Sequence, residues 1–322
     1  MKNVLPVKKP LINTYTSYGA LFSILPNGLD NWVYNNFIQL NYASGWKMYT
    51  FENHKYLISE CPGLIYSVFP EFITRKSYFK SIRNMIRAII DEGEYLYLYI
   101  DRYYLSVDKI RYMNYHFPHE LFVYGYDFER GLAYIADNLL NGKFVFTTCP
   151  LEDIENGFNN IESEYEFMKM IRTIKVRSNV DYPLDMAQIR HGIFSFITSS
   201  PSYHVNKEHD MLFGLDIFDS LHRQFSENKS FIDVRALHLI HEQIMIMNKR
   251  VSYLIESDKL TSSSKLVLEE LKGLMHGSLI LRNSAIKYSV YNTDSLYNSI
   301  QEKILLLKDR ISSVYCSLLK QF

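Results

Sequence analysis

The sequence predicts an α+β protein, with a mixed first half of helices and strands followed by a mainly helical half. Three observations carry this reading. Short runs alternate apolar and polar residues between positions 94 and 149, as half-buried strands do. From about residue 183 onward, apolar residues recur every three or four positions instead, the helical period. The chain of 322 residues is 47% hydrophobic and 22% charged, enough to bury a sizeable core.

In order, the first helix is expected over "SYGALFSIL", residues 17–25, with Thr16 or Ser17 as its cap and Pro26 and Gly28 after its end. "SYFKSIRNMIRAIIDEG" places Ile82, Met85, Ile86 and Ile89 on one face of a second helix, capped by Ser77 and closed by Gly93. "EYLYLYID" reads as a strand. "ELFVYGYD" and "LAYIADN" flank "FERG" and read as a hairpin, and "GKFVFTTC" follows as a further strand. The stretch "RYYLSVDKIRYMNYHFPH" is a long loop of the kind that is often functional. The character changes near residue 160. "EFMKMIRTIKVRS" is ambiguous between strand and helix. Helices are then expected near 183–199, 210–226, 231–256, 262–289 and 293–320, with Asp233, Thr261 to Ser264 and Thr293 as caps. The two halves divide as residues 1–160 and 161–322.

Composition excludes some functions. The formal net charge is zero, which argues against a dedicated nucleic-acid binder. The three cysteines, Cys61, Cys149 and Cys316, form neither a disulfide framework nor a paired zinc-ligand pattern. The start lacks a signal-peptide stretch, and no segment has the roughly 18 uninterrupted apolar residues of a membrane span. A cytoplasmic protein is expected, without membrane or metal.

The hairpin carries the chemistry. His119 opens its first strand and Asp137 closes its second, so both fall at one end of the sheet. A carboxylate there can accept the imidazole N–H, fix the tautomer and stabilise the imidazolium. The missing nucleophile should open a helix facing this edge, where the helix dipole lowers a thiol pKa and backbone N–H groups can form an oxyanion hole. Polar ends of an ordinary hairpin would show the same spacing. His116, before Phe117-Pro118, reads as facing the loop. Asp101, Tyr103 and Tyr104 either shape a substrate groove or, as aromatic packing, lie beneath the loop. "HLIHE", with His238, His241 and Glu242, lacks the order of the zinc proteases and reads as a helix-face histidine with a solvated glutamate.

The run "IDRYYLSVDKIRYMNYHFPHELFVYGYDFERGLAYIADN" resembles the N-terminal domain of the butirosin biosynthesis protein H family, which is similar to the papain-like cysteine enzymes. The likeness spans roughly residues 10 to 157, and "DVRALHLIHEQIMIMNKR" in the helical half is also similar to this family. The resemblance implies a papain-like half followed by a helical bundle half. It implies an acyltransferase or amide synthase, like the amide-forming enzyme of closthioamide assembly, acting in secondary-metabolite biosynthesis. An acyl or peptidyl group would pass from a carrier-protein thioester, through a cysteine acyl-enzyme, to an amine. The partner would be an acyl or peptidyl carrier protein, whose phosphopantetheine arm replaces any cofactor of the chain's own. His119 would be the general base and Asp137 its orienting partner, with Asn13 near the oxyanion site.

The family's nucleophile is a cysteine opening the first helix, where this chain has "TYTSYGALFSIL". Three explanations stay open. Ala20, after Gly19, stands where the cysteine belongs, by nature or by a substitution that traps a complex. Ser17 is the nucleophile, although a helix cap is the other reading of a serine there. Or the scaffold is inactive and binds a carrier protein. With alanine at position 20, the chain is expected to form no acyl-enzyme and to be inert toward thioesters while still binding substrate. A peptidase or amidase on the same scaffold is the rival enzyme class.

Overall fold

The computed structural model describes residues 1–70, 81–140, 142–203, 211–261 and 263–322. They form a mixed α+β chain with antiparallel sheets. In chain order come β1 (Lys2–Val4), α1 (Thr16–Ile24), α2 (Asp30–Asn36), β2 (Leu40–Ala43), β3 (Met48–Phe51), β4 (Leu64–Phe69) and α3 (Ile82–Asp91). Next are β5 (Glu94–Asp101), β6 (Pro118–Asp127), β7 (Leu132–Leu140), β8 (Lys143–Pro150), α4 (Leu151–Asn159) and β9 (Ile171–Val176). The remainder holds α5 (Met186–Ile197), β10 (Met211–Phe213), α6 (Asp216–Glu227), α7 (Val234–Glu256), α8 (Ser264–Tyr291) and α9 (Asp294–Leu319).

These elements group into two compact units, Met1–Leu29 with Tyr56–Asp181, and Asp30–Lys55 with Tyr182–Phe322. The division expected at residue 160 therefore lies after Asp181, and residues 30–55 belong with the helical unit. The shift has a cause in the sheet. β9 pairs antiparallel with both β4 and β5, so the first unit is incomplete until Val176. The ambiguous "EFMKMIRTIKVRS" becomes a 3-10 turn, Glu166–Lys169, and then this strand, because sheet partners decide what local propensity leaves open.

In the first unit the sheet runs β4-β9-β5-β6-β7-β8, with β1 added along β6. The β6–β7 hairpin pairs Asp127 with Leu132, and Gly131 sits at φ +66° in its turn, a conformation that favours glycine. A Cβ on Gly125 would lie 2.8 Å from the Asn3 carbonyl, so glycine there lets β1 close on β6. α3 lays Ile82, Met85, Ile86, Ile89 and Ile90 against Leu96, Leu98 and Ile100 of β5 and Leu121 and Val123 of β6. Its cap is Ser81, whose hydroxyl accepts from Asn84 N at 3.2 Å, while the expected cap Ser77 lies outside the described residues. α1 is buried on all sides, its Thr16, Ser17 and Ser23 included.

The second unit holds the three-stranded sheet β10-β2-β3 and the long helices. Asp233 caps α7 and Thr293 caps α9, as the sequence predicts, whereas Ser263 ahead of α8 makes no side-chain cap bond. The single helix expected over 210–226 is instead β10 followed by α6; residue 210 lies outside the described residues. Gly214, at φ +51°, separates the two, and a Cβ there would run into the Phe196 carbonyl. Arg250 of α7 is wholly buried and donates to the carbonyls of Tyr34 (2.7 Å) and Phe37 (2.8 Å), tying down α2 and the turn after it. Burial lowers its pKa to about 10, still a cation at neutral pH.

Candidate active site

His119 enters at the start of β6, opposite Ile100 of β5. Asp137 lies on β7, beyond the last β6–β7 pair at Phe122 and Ala136, so the hairpin brings both to one end of the sheet. The His119 Nδ1 is 3.6 Å from Asp137 Oδ1, within ion-pair range and beyond a hydrogen bond. Asp137 is wholly buried and fully engaged by others. Thr16, the first residue of α1, places Oγ1 2.5 Å from Asp137 Oδ1, and the Asn138 N–H donates to the same oxygen at 2.6 Å. Arg102 Nη2 donates to the other oxygen. Helix start, hairpin and the end of β5 thus converge on one carboxylate.

Arg102 follows β5 directly, in a 3-10 turn that carries its side chain inward. It is 2% exposed, and its second carboxylate partner is Asp108, at 3.3 Å. The same Nη2 lies 2.7 Å from His119 Nδ1. A guanidinium has donors only. Nδ1 must therefore accept, which assigns the proton of neutral His119 to Nε2. The Glu120 carbonyl, 3.0 Å from Nδ1, then faces a lone pair; the shorter contact to a charged donor decides. Phe117 stacks on the ring with centroids 5.5 Å apart.

Burial alone would raise the pKa of Asp137. A charged His119, Arg102 and the Thr16 hydroxyl outweigh it and hold the carboxyl below 3.8. A carboxyl with a depressed folded pKa contributes stability that is present above its unfolded value and lost as pH falls through the folded one. Asp137→Asn should therefore flatten the acid limb of the stability–pH curve below about pH 4, while lowering stability at neutral pH. Urea midpoints measured across that range for both proteins check this.

Position 20 needs a correction. Ala20 is the fifth residue of α1, in its second turn, and is wholly buried, so it does not occupy the helix's first turn. Thr16 is the residue of that turn which meets Asp137. The cap expected of Thr16 or Ser17 is also absent: Tyr15 holds the N-cap position and makes no side-chain capping bond, and the buried Ser17 hydroxyl has no partner among the described residues. Glycine at position 19 lets α1 close on β8, since a Cβ there would meet the Phe144 ring at 2.3 Å. Gly19→Ala should cost about 1–3 kcal/mol by overpacking. Phe144→Leu in the same protein should recover part of that loss, as read by thermal unfolding.

The backbone carbonyl of Asn13 accepts from Asn138 Nδ2 at 3.0 Å, which ties the residue before α1 to β7. Tyr103 and Tyr104 meet edge to face at 5.0 Å, and Tyr103 stacks on His116 at 4.3 Å. His116 is part of a second histidine–carboxylate pair, with Nδ1 2.5 Å from Asp101 Oδ2. Sequence reasoning set His116 aside and passed over Arg102.

Burial raises the Cys61 thiol pKa to about 12 and raises that of Cys149; Cys316 lies exposed on α9 of the second unit. In the bundle, Glu242 is buried and 3.2 Å from His238 Nε2, so it is not the solvated residue expected. His241 Nδ1 meets Ser278 Oγ at 2.9 Å, and burial, with Arg282 and His238, lowers its pKa to about 4. Among the described residues no cluster of metal-ligating side chains forms, and no helix is long and apolar enough to cross a membrane. No protein-family model matches the chain, and no curated protein matches it.

Proposed function

We propose that the first unit is a papain-like acyl-transfer site that joins an acyl or peptidyl group from a carrier-protein thioester to an amine. The observation that carries this reading is the setting of His119. Arg102 holds Nδ1 as an acceptor, so the part-exposed ring keeps its proton on Nε2, and its neighbour Asp137 also takes the hydroxyl of Thr16 at the start of α1. An N–H held in place in this way suits the thioester oxygen, which gains charge as the carbonyl is attacked. This gives His119 a donor's role in place of the general base that the resemblance implies.

Ala20 is buried, and burial raises the thiol pKa of both Cys61 and Cys149. The reading therefore assigns no acyl-enzyme to this chain. The amine attacks the bound thioester directly. The carrier's phosphopantetheine arm brings the acyl group, and the step needs no metal.

The test is incubation with an acyl pantetheine thioester and a primary amine, with product masses followed in time. Amide is expected. Free acid alone would place the chain with the peptidases and amidases, and binding without either product would make it a non-catalytic carrier-protein-binding protein.

A further inference from the structure

His116 and Asp101 make a dyad that the acyl-transfer reading has not used. The Asp101 carboxyl is almost wholly buried. Its Oδ1 accepts the backbone N–H groups of Tyr103 (3.0 Å) and Phe117 (2.9 Å), which fixes its orientation. Its Oδ2 faces His116 Nδ1 at 2.5 Å, while the His116 side chain is 65% exposed. A carboxylate accepts, so His116 carries its proton on Nδ1 and, when neutral, turns a free Nε2 lone pair to solvent. Stacking on Tyr103 holds the ring in that plane.

The two dyads are wired oppositely from adjacent residues. Asp101 ends β5 opposite Pro118, and Ile100 lies opposite His119. Asp101 sets His116 as Nδ1–H, and Arg102, one residue later, sets His119 as Nε2–H. Neutral His116 offers an acceptor at Nε2, and neutral His119 offers a hydrogen-bond donor there.

We propose that His116, oriented by Asp101, is the proton acceptor at this site. On the acyl-transfer reading, on which this use of the dyad rests, the amine nitrogen forms its bond to the thioester carbon and the C–S bond breaks. His116 Nε2 removes the proton that the nitrogen loses. The departing thiolate takes that proton back, so amide and thiol are the only products.

The wiring is tested in the unmodified full chain by long-range ¹H–¹⁵N NMR of labelled histidines. The expected neutral tautomers are Nδ1–H for His116 and Nε2–H for His119. The reverse assignment at His116 overturns the proposal, whatever the protein does with thioesters. Function is read with Asp101→Asn, which keeps an acceptor for the two backbone N–H groups but no longer enforces the tautomer. Carbethoxylation of His116 by diethyl pyrocarbonate, mapped by peptide mass, should slow about tenfold or more in this variant. Amide formation should fall with it. An unchanged His116 rate in a folded Asp101→Asn overturns the proposal. Correct tautomers and a slowed His116, with no amide formed by the unmodified chain, would instead sink the acyl-transfer reading and leave the dyad standing.

Discussion

Replacing Arg102 by Met should destabilise the protein by about 3–5 kcal/mol, the cost of stranding buried charge. Arg102 is buried between Asp108 and Asp137, both with no exposed surface. Asp108 keeps Arg111 at 3.1 Å, but Asp137 keeps only the Thr16 hydroxyl, the Asn138 N–H and a histidine at ion-pair distance. A surface ion pair would contribute little, about 0–1 kcal/mol, and burial makes the difference here. Adding Asp137→Asn to Arg102→Met should return part of the loss, because the two residues touch and their effects do not add. Urea unfolding of the four proteins of this cycle measures the coupling.

Replacing His119 by Ala should slow amide formation by about 10²–10³-fold, the usual effect of removing one fixed donor to a developing oxyanion. The ring is only partly buried and Arg102 keeps both carboxylates, so unfolding stability should change far less than in Arg102→Met. His119→Gln offers a side-chain N–H and should retain more activity than His119→Ala. A general base at this position would give the opposite ranking against pH, with glutamine no better than alanine and the loss greatest where the imidazole is neutral.

The hairpin was legible because its alternation and its turn agree: "ELFVYGYD" and "LAYIADN" pair around Gly131 as read, which is why His119 and Asp137 come to one end of the sheet. The α7 and α9 caps were legible for a similar reason, since an aspartate or threonine before a periodic run has one local use. β9 was not legible, because its strand character comes from β4 and β5. α4 gave signals that went unread: Pro150 precedes it, and Glu152 and Asp153 lie in its first turn.

Within the site, sequence spacing could not fix the helix phase. α1 is buried all round, so no polar stripe marks which residue faces β7, and Ala20 fell one turn beyond Thr16. Arg102 escaped because a charged residue in a loop is ordinarily solvated. Only the 3-10 turn after β5 and the carboxylates at Asp108 and Asp137 explain its burial. His116 escaped because the loop leaves Asp101 and returns fifteen residues later to set an imidazole against it.

The intact mass of the protein tests the central claim most directly. The unmodified chain is incubated with a loaded carrier protein and an amine, and protein and product masses are read from the same time course. Amide should accumulate while the chain keeps its unmodified mass throughout. An acyl increment on the chain that appears before amide and decays as amide forms would contradict direct transfer and assign a nucleophile, with Ser17 and Thr16 the first positions to map.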